Sequence, residues 1–414
     1  MNWGDYMKTR DFLLVSVLVT GLLFYTLFHL FIKPQDHISI FENRSLATIS
    51  DLIEVGYVDE TFQDNFESVL SDQFVYRSQI KRVLSNSDSL FRNILYKILR
   101  IETTESTLKM IGDTYIFEVG IDGEYLISKP LIENDLYMQN LNNRINEINS
   151  ISIKYSDIDF YVYKPIQIHE LDWFDEANGF DSVGREYSAI LEKGLIIPYK
   201  EGTIVDLPDF KNKYYSTDHH WNHNGSYQGY LDIIKLLGDE QAPIEPNDLI
   251  CLDDATFYGS FSTRIGHSKE PSEFCFFDFT YPEMTYVVDG VKMNPLDGLN
   301  RYLNNNYSRD KFSYHYGLTA AEPGTFKHFY TGNEDKENIL FVVDSFARPV
   351  TNLLASHFNN SYFIAPRDYY WKNNELFDYD DFLINNDVDK VVFMYIAENY
   401  FWEPDSKMFE INVR

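Results

Sequence analysis

Five side chains that could do chemistry stand within six positions of the segment TDHHWNH. They are Asp218, His219, His220, Trp221 and His223, in a chain of 414 residues that has ten histidines. Imidazole and carboxylate groups at this density suit a metal site, or the base and orienting acid of a nucleophilic mechanism. A structural turn whose side chains hydrogen-bond to one another is the third interpretation.

A metal site of this kind would need His219 and His223 on one face of a helix. Two histidines four residues apart can chelate zinc there. Asn222 and Asn224 are good helix N-caps, however, so a helix is expected to begin after one of them and to exclude His219. No HExxH or CxxC motif accompanies the pair. We therefore predict no metal, with His219 packed or hydrogen-bonded within the turn.

A serine follows the apolar run NILFVV at the point where a predicted strand ends. Asp344 and Ser345 stand between this strand and a predicted helix, ARPVTNLLASHF. Ligands of open parallel sheets bind beyond the carboxyl ends of the strands, and the first N–H groups of a helix favour an oxyanion. An ordinary helix N-cap would give the same pattern. Ser345 is therefore a candidate nucleophile.

The serine and the histidine cluster together contain the parts of a catalytic triad. A serine hydroxyl needs an imidazole to remove its proton and a carboxylate to orient that imidazole. Asp218 and His220 are two residues apart, after another predicted strand. The hypothesis is that Ser345 attacks an acyl carbonyl, His220 acts as general base and Asp218 orients His220.

Alternating helices and strands from about residue 136 predict the sheet that would position these side chains. Such alternation is typical of a parallel sheet with helices on both faces, and Gly238 is expected to end the helix after the cluster. The predicted helices cover residues 136–155, 183–195, 226–238 and 347–358. The predicted strands cover residues 159–165, 202–209, 338–343, 361–368 and 389–399.

Three further regions have different compositions. Residues 240–335 are rich in Gly, Asn, Tyr and Phe and predict a β-rich insertion within a main domain of residues 110–414. Residues 34–109 mix apolar and charged residues at helical spacing, which predicts a membrane-proximal helical stem. Cys251 and Cys275 either form a disulfide or remain two buried thiols.

The N-terminal region predicts a membrane anchor. Residues 12–32 are almost uncharged and about as long as the ~20 residues that span a bilayer. Lys8 and Arg10 precede the run, which favours a cytoplasmic N-terminus and an extracytoplasmic main domain. A cleaved signal peptide is the alternative. Residues 1–33 are thus predicted to be a cytoplasmic tip and a single-pass transmembrane helix, with the protein in the cell membrane.

The charge of the chain excludes some partners. The formal net charge is −29, which repels nucleic acid and anionic lipid headgroups. A neutral or cationic ligand is expected instead.

Four segments resemble the DHHW proteins, which are related to the alginate O-acetyltransferases of bacterial exopolysaccharide systems. They are TDHHW, ENRSLA at 42–47, FESVLSDQFVYR at 66–77 and VVDSF at 342–346. The resemblance implies an α/β fold like that of SGNH hydrolases, in a permuted order with Asp-His before Ser. The family's Asp-x-His falls on Asp218 and His220, and the serine of its Gly-Asp-Ser block falls on Ser345. The glycine of that block is replaced here by Val343.

The same resemblance implies further oxyanion or substrate-binding residues. In SGNH enzymes a glycine and an asparagine after the next strands help to bind the oxyanion, and the corresponding ends here carry Arg367 and Asn399. Asn399 is the candidate oxyanion donor, and Arg367 is a candidate substrate or ion-pair residue. Trp221 either contacts the substrate or anchors the loop.

The resemblance implies an extracytoplasmic O-acyltransferase that acetylates a cell-surface polysaccharide through an acyl-serine. Members of the family usually work with a multi-pass membrane acyltransferase that supplies the acyl group, and no soluble cofactor is implied. A carbohydrate O-acetyl esterase with the same triad is one alternative. A non-catalytic glycan-binding or assembly protein is the other.

Overall fold

The structure of the chain is a computed structural model. It describes residues 16–17, 20–21, 38–39, 44–45, 47–55, 62–73, 109–110, 116–119, 125–128, 131–178, 182–238, 242–251, 257, 259–264, 272–293 and 325–401. The strands are β1 Ile38–Ser39, β2 Arg44–Ser45, β3 Lys109–Met110, β4 Ile116–Val119, β5 Tyr125–Ser128, β6 Asp159–Lys164, β7 Tyr199–Glu201, β8 Asp248–Cys251, β9 Cys275–Asp278, β10 Thr285–Val288, β11 Val291–Met293, β12 Phe326–Tyr330, β13 Ile339–Val343, β14 Asn360–Ile364 and β15 Lys390–Met394. The α-helices are Ile49–Val55, Phe62–Asp72, Asp135–Lys154, Asp172–Asn178, Gly184–Gly194, Leu207–Lys213, His223–Leu237, Ser260–Arg264, Thr351–Ala355, Pro366–Asn373, Tyr379–Asn385 and Glu398–Phe401, with 3₁₀ helices at Ile168–Glu170 and Ser345–Val350.

An eight-stranded mixed sheet organises the main part of the fold. Its strand order is β11-β10-β12-β14-β13-β15-β6-β7. The five strands from β14 to β7 pair in parallel, whereas β12, β10 and β11 extend the sheet by antiparallel pairing. The structure is thus α/β with a sheet dominated by parallel strands, as the alternation of helices and strands predicts.

Both faces of the central strand β13 are buried. Ile339, Phe341 and Val343 join a core with the helices that follow the histidine cluster and Ser345. Leu340 and Val342 join a second core, on the other face, with the helices Asp135–Lys154 and Gly184–Gly194. A strand covered on both faces needs a continuous apolar run rather than alternation, which is what ILFVV provides.

One predicted strand is wrong. Residues 202–209 were expected to be a strand because of their apolar run, but β7 ends at Glu201 and the helix Leu207–Lys213 begins soon after. Asp206 caps this helix, since its Oδ1 accepts the N–H of Asp209 at 2.8 Å. A proline early in the first turn also favours a helix start, and these local signals outweigh the β-branched residues.

The region 240–335 contributes strands, as predicted, and three of them join the main sheet. β10 and β11 form a hairpin, and β10 pairs with β12 next to the parallel part. β8 pairs with β9, where Cys251 and Cys275 form a disulfide. The structure thus decides between the bridge and the two thiols that the sequence left open.

The predicted membrane anchor is contradicted. A membrane span needs about 20 apolar residues in one helix, and no helix in the described part of the chain is long and apolar enough. Residues 12–32 lie outside the described residues, apart from 16–17 and 20–21. This finding corrects the predicted transmembrane helix and the cell-membrane localisation that was based on it. The division into tip, stem and main domain stays a prediction.

Truncating the central strand should destabilise the whole fold. Phe341 is fully buried, so Phe341→Ala is expected to lower the free energy of unfolding by about 3–5 kcal/mol through the cavity that it leaves. Val291→Ala, at a side chain that is 63% exposed, is the control and should change it by less than about 0.5 kcal/mol. Urea denaturation of both variants measures the difference. Equal losses would show that β13 is not central to the fold.

Candidate active site

The TDHHW segment forms a tight turn between two helices. Tyr214 and Trp221 form an antiparallel bridge, and the N–H of Asn222 donates to the carbonyl of Lys213 at 2.8 Å. The side chain of Asn222 then caps the helix His223–Leu237. The helix begins after Asn222, as predicted, so His219 does not lie on it. The two ends of the turn are therefore fixed, and the side chains between them point in defined directions.

His220 lies between Asp218 and Ser345. Its Nε2 is 2.7 Å from Oγ of Ser345, which is 125 positions away in the sequence. Its Nδ1 is 2.5 Å from Oδ1 of Asp218. The structure thus brings the three predicted side chains into one line of hydrogen bonds, at the carboxyl end of β13.

Asp218 is buried, and hydrogen bonds reach both of its carboxylate oxygens. Oδ1 accepts the main-chain N–H of His220 at 2.9 Å as well as its ring, and Oδ2 accepts the main-chain N–H of Ser260 at 2.5 Å. Burial alone would raise the pKa of Asp218. The neighbouring imidazoles of His220 and His219 and the hydrogen bonds outweigh this effect and hold the pKa well below its usual range.

A second buried carboxylate holds the turn that carries Ser345. Asp344 Oδ1 accepts the N–H of Phe346 at 2.9 Å, and Oδ2 accepts the N–H of Ile396 and the amide of Asn399, both at 2.8 Å. Burial raises the pKa of Asp344, although these three hydrogen bonds oppose the shift. The Asn399 amide, predicted to face an oxyanion, is therefore engaged with Asp344 in this structure.

Aromatic packing supports the histidine ring. The ring of Phe346 lies 4.7 Å from that of His220 and 5.4 Å from that of Trp221. Trp221 is only 3% exposed and also packs against Tyr163. Of the two interpretations of Trp221, its burial favours the loop anchor over the substrate contact.

A cleft beside Ser345 carries cationic side chains. Arg367 lines it together with Arg348 and Lys327, and the carboxylates in its wall are those of Asp344 and Asp368. The guanidinium of Arg367 lies 4.9 Å from the centre of the Trp371 ring, and its Nε is 3.5 Å from Asp368.

Arg348 differs from the other charged residues of this cleft. Its side chain makes no hydrogen bond or ion pair with any residue that the structure describes. It is three residues after Ser345 and only partly exposed. A guanidinium in this position can bind a carboxylate or a phosphate in two-pronged geometry.

Two residues of the insertion contribute to the site, and neither was predicted from the sequence. Gly259 and Ser260 pack against the TDHHW turn, where Ser260 donates to Asp218 and its Oγ lies 2.7 Å from Nδ1 of His219. His219 was expected to pack or hydrogen-bond within the turn. Its ring lies 3.8 Å from that of His220 in the turn, whereas its hydrogen bond goes to the insertion. No sequence pattern in residues 240–335 identifies Gly259 and Ser260 as site residues, because every residue except proline has a main-chain N–H donor.

Besides the disulfide-bonded Cys251 and Cys275 with Glu273, two groups of side chains in the described part of the chain have ligand atoms close enough for a metal ion. Asp218, His219 and His220 form one, and His169, Glu170 and Glu398 form the other, each with ligand atoms within 4.8 Å. The hydrogen bonds described above already use both ring nitrogens of His220. In the second group, Glu170 pairs with Lys164, and His169 Nε2 lies 3.1 Å from Glu398. Ion pairs therefore account for the clustering of these side chains, and no metal ion is needed to explain it.

Comparisons with known proteins identify the fold. No family model matches the chain, and no curated protein matches its sequence. The structure is similar to PatB1 of Bacillus cereus with a sulfonyl adduct, at 16% identity and a TM-score of 0.56, covering 74% of this chain and 100% of that chain. It is also similar to a DHHW family protein from Eubacterium siraeum, at 15% identity and a TM-score of 0.51, covering 73% of this chain and 98% of that chain. The chain has the DHHW fold.

The similarity to the DHHW family protein confirms the resemblance that the sequence predicts. A more distant structure is the O-acetyltransferase domain of Pseudomonas putida AlgJ, at 9% identity and a TM-score of 0.38, covering 68% of this chain and 90% of that chain. In the DHHW fold of this chain, the TDHHW turn and the end of β13 meet at one edge of the sheet.

Replacing Asp218 with asparagine should change the acid end of the stability profile. Because the folded-state pKa of Asp218 is lowered, its ionised form contributes stability that is fully present above the unfolded pKa of about 3.9. That contribution is lost as the pH falls from there toward the folded value. Between about pH 5 and pH 2, the wild type should lose more free energy of unfolding than Asp218→Asn.

Urea denaturation at a series of pH values measures this loss. Asp157→Asn, at an exposed position, is the matched control and should follow the wild type. Parallel profiles for the wild type and Asp218→Asn would contradict the lowered pKa.

Proposed function

We propose that this chain is an O-acyltransferase that moves an acetyl group onto a polysaccharide through an acyl-serine intermediate. One observation carries the proposal: His220 Nε2 lies 2.7 Å from Ser345 Oγ while its Nδ1 lies 2.5 Å from Asp218. This is the arrangement that activates a serine hydroxyl at neutral pH. The parallel strands, with the Asp-His turn before the serine, support an SGNH-like sheet in permuted order.

In the first half of the proposed reaction, Ser345 becomes acylated. His220 Nε2 takes the hydroxyl proton while Oγ attacks the acyl carbonyl, and a tetrahedral oxyanion forms. The bond to the leaving group then breaks, and the imidazolium returns the proton to the leaving oxygen. Asp218 fixes the ring and stabilises its charged form, since Asp218 stays ionised.

In the second half, a sugar hydroxyl replaces the leaving group. Nε2 takes its proton while the sugar oxygen attacks the acyl-serine, and a second tetrahedral oxyanion forms. The acyl–Oγ bond then breaks and the imidazolium returns the proton to Oγ, which leaves the sugar ester and free Ser345. Water in place of the sugar would give acetate, so the acceptor alone separates the transferase from the esterase. The polysaccharide acceptor is part of the proposal, and a membrane acyltransferase as supplier stays a prediction.

The oxyanion needs donors at the start of the 3₁₀ helix Ser345–Val350. The N–H of Phe346 already donates to Asp344, so we assign the oxyanion to the main-chain N–H of Ser345. Asn399 then acts by holding Asp344, and through it the turn, rather than by binding the oxyanion. Val343, in place of the family's glycine, points into a core.

The cationic cleft indicates what the substrate carries near its reacting oxygen. Arg348 and Arg367 line the same cleft as Ser345, and a guanidinium there favours a carboxylate or phosphate on the bound sugar. The net charge of −29 predicts a neutral or cationic ligand. The side chains in the cleft favour an anionic one.

Acyl transfer that depends on Ser345 tests the proposal. The purified chain is incubated with p-nitrophenyl acetate and glycan oligomers, and nitrophenol, acetate and acetylated oligomer are measured. Ser345→Ala is expected to abolish acetylated product, whereas Ser152→Ala, in a helix away from the cleft, should keep wild-type rates. Acetate without acetylated sugar would support the esterase instead. Equal inertness of wild type and Ser345→Ala, with oligomer still bound, would leave only the non-catalytic binding protein.

A sulfonyl fluoride gives a second readout that needs no acceptor. Activated serines react with such reagents, and PatB1 of Bacillus cereus was solved with a sulfonyl adduct. Mass spectrometry should find the adduct on Ser345 in the wild type and much less of it in His220→Ala. Labelling that does not depend on His220 would contradict the proposed role of the base.

Removing the guanidinium of Arg348 should weaken binding of an anionic acceptor. Arg348→Gln is expected to raise KM for a uronate oligomer about ten- to hundredfold, which is the effect of losing a charged hydrogen bond, and to leave KM for a neutral oligomer within about twofold. Lys292→Gln, at an exposed position of β11, is the control. Equal KM changes for both oligomers would contradict an anionic acceptor.

A further inference from the structure

The insertion holds the turn that carries the proposed acid and base. Ser272 Oγ lies 2.9 Å from Oγ of Ser216 and 2.8 Å from Oγ1 of Thr217. The carbonyl of Thr217 accepts the N–H groups of Phe261 and Ser262 at 3.1 and 3.2 Å. Residues of the insertion therefore fix the main chain directly before Asp218.

Gly259 makes the closest part of this contact. A Cβ atom at this position would lie 2.3 Å from the carbonyl oxygen of Thr217 and 2.4 Å from Cβ of Asp218. Both distances are far below van der Waals contact, and one of the two neighbouring atoms belongs to the main chain. Only glycine allows residues 259–260 to approach the turn this closely.

The close approach places a donor on the outer oxygen of Asp218. The main-chain N–H of Ser260 reaches Oδ2 at 2.5 Å, while Oδ1 faces Nδ1 of His220 at the same distance. A carboxylate can rotate about its Cβ–Cγ bond, and a donor on Oδ2 opposes that rotation. The N–H of Ser260 thus keeps Oδ1 in line with the imidazole.

We infer that Gly259 and Ser260 are positioning residues for the proposed acyl transfer, acting through Asp218 on His220. This inference rests on the proposed function. The insertion then has a defined role: it supplies the N–H group that completes the coordination of the orienting carboxylate. Neither residue touches the cleft beside Ser345, so substrate binding should not depend on them.

Two substitutions remove this donor in different ways. Gly259→Ala forces residues 259–260 away from the turn, and Ser260→Pro deletes the N–H itself. Ser260 is the first residue of the helix Ser260–Arg264, where proline is tolerated, so the second variant should fold even if the first does not. Gly202→Ala is the matched control, because a Cβ there would meet only ordinary contacts at 3.4 Å or more.

The test measures kcat, KM and the hydrogen-bonded proton of His220. In both variants kcat for acyl transfer is expected to fall about ten- to hundredfold, with KM within about twofold of the wild type. The downfield proton resonance of a short Asp218–His220 hydrogen bond should weaken or shift in both. Gly202→Ala should match the wild type in all three measurements.

The outcomes separate this inference from the proposed function. Wild-type kcat and an unchanged resonance in folded Ser260→Pro would overturn the positioning role while leaving acyl transfer intact. A wild-type protein without Ser345-dependent transfer would overturn the proposed function. In that case a changed resonance would still support the role of residues 259–260 in orienting Asp218, and an unchanged one would overturn it. A rise in KM with unchanged kcat would place the two residues in substrate binding and so contradict the inference.

Discussion

An ionised carboxylate inside a protein is stable only while hydrogen bonds or an opposing charge replace the water that it has lost. Asp218 meets this condition through His220 on one oxygen and the main-chain N–H of Ser260 on the other. The same contacts decide where His220 points, because a ring bound at Nδ1 can present only Nε2 to Ser345. The turn before the helix His223–Leu237, the insertion and the end of β13 must therefore all keep their places for this line of hydrogen bonds to exist.

A second buried carboxylate works on the other side of the site. Asp344 binds the N–H groups of Phe346 and Ile396 and the amide of Asn399, so it ties the turn after β13 to the end of β15. The two acids differ in their charge environment. The neighbouring imidazoles lower the pKa of Asp218, whereas Asp344 has mainly neutral donors and burial raises its pKa. One carboxylate is thus suited to stabilising an imidazolium and the other to holding a backbone.

Much of this arrangement can be predicted from the sequence, because parallel strands end at a common edge. Apolar runs mark β6, β13, β14 and β15, and Ser345 follows β13 as expected. His220 reaches Ser345 from a turn between two helices rather than from the end of a strand. The contact of Ser260 with Asp218 could not be predicted, since it joins main chain to side chain across 42 residues without a pattern. Asn399 was expected at the oxyanion because of the family resemblance. Its hydrogen bond to Asp344 could not be predicted, since no sequence pattern marks it. The strand predicted for residues 202–209 was wrong because the helix N-cap at Asp206 is a stronger local signal than the preference of β-branched residues for strands.

The net charge of the chain and the charge of the cleft predict substrates of different charge. Charges close to Ser345 matter more than distant ones, because salt screens the distant charges. Charges on the protein surface are screened over about 8 Å at physiological salt, so acidic residues that contribute to the net charge of −29 but lie farther than this from Ser345 act weakly there. Within the cleft, Asp344 is bound by three donors and Asp368 lies beside Arg367. Arg348 has no such partner among the described residues. A substrate carboxylate or phosphate would supply that partner, and it would also hold the sugar hydroxyl near the acyl-serine, which couples recognition to the proposed chemistry.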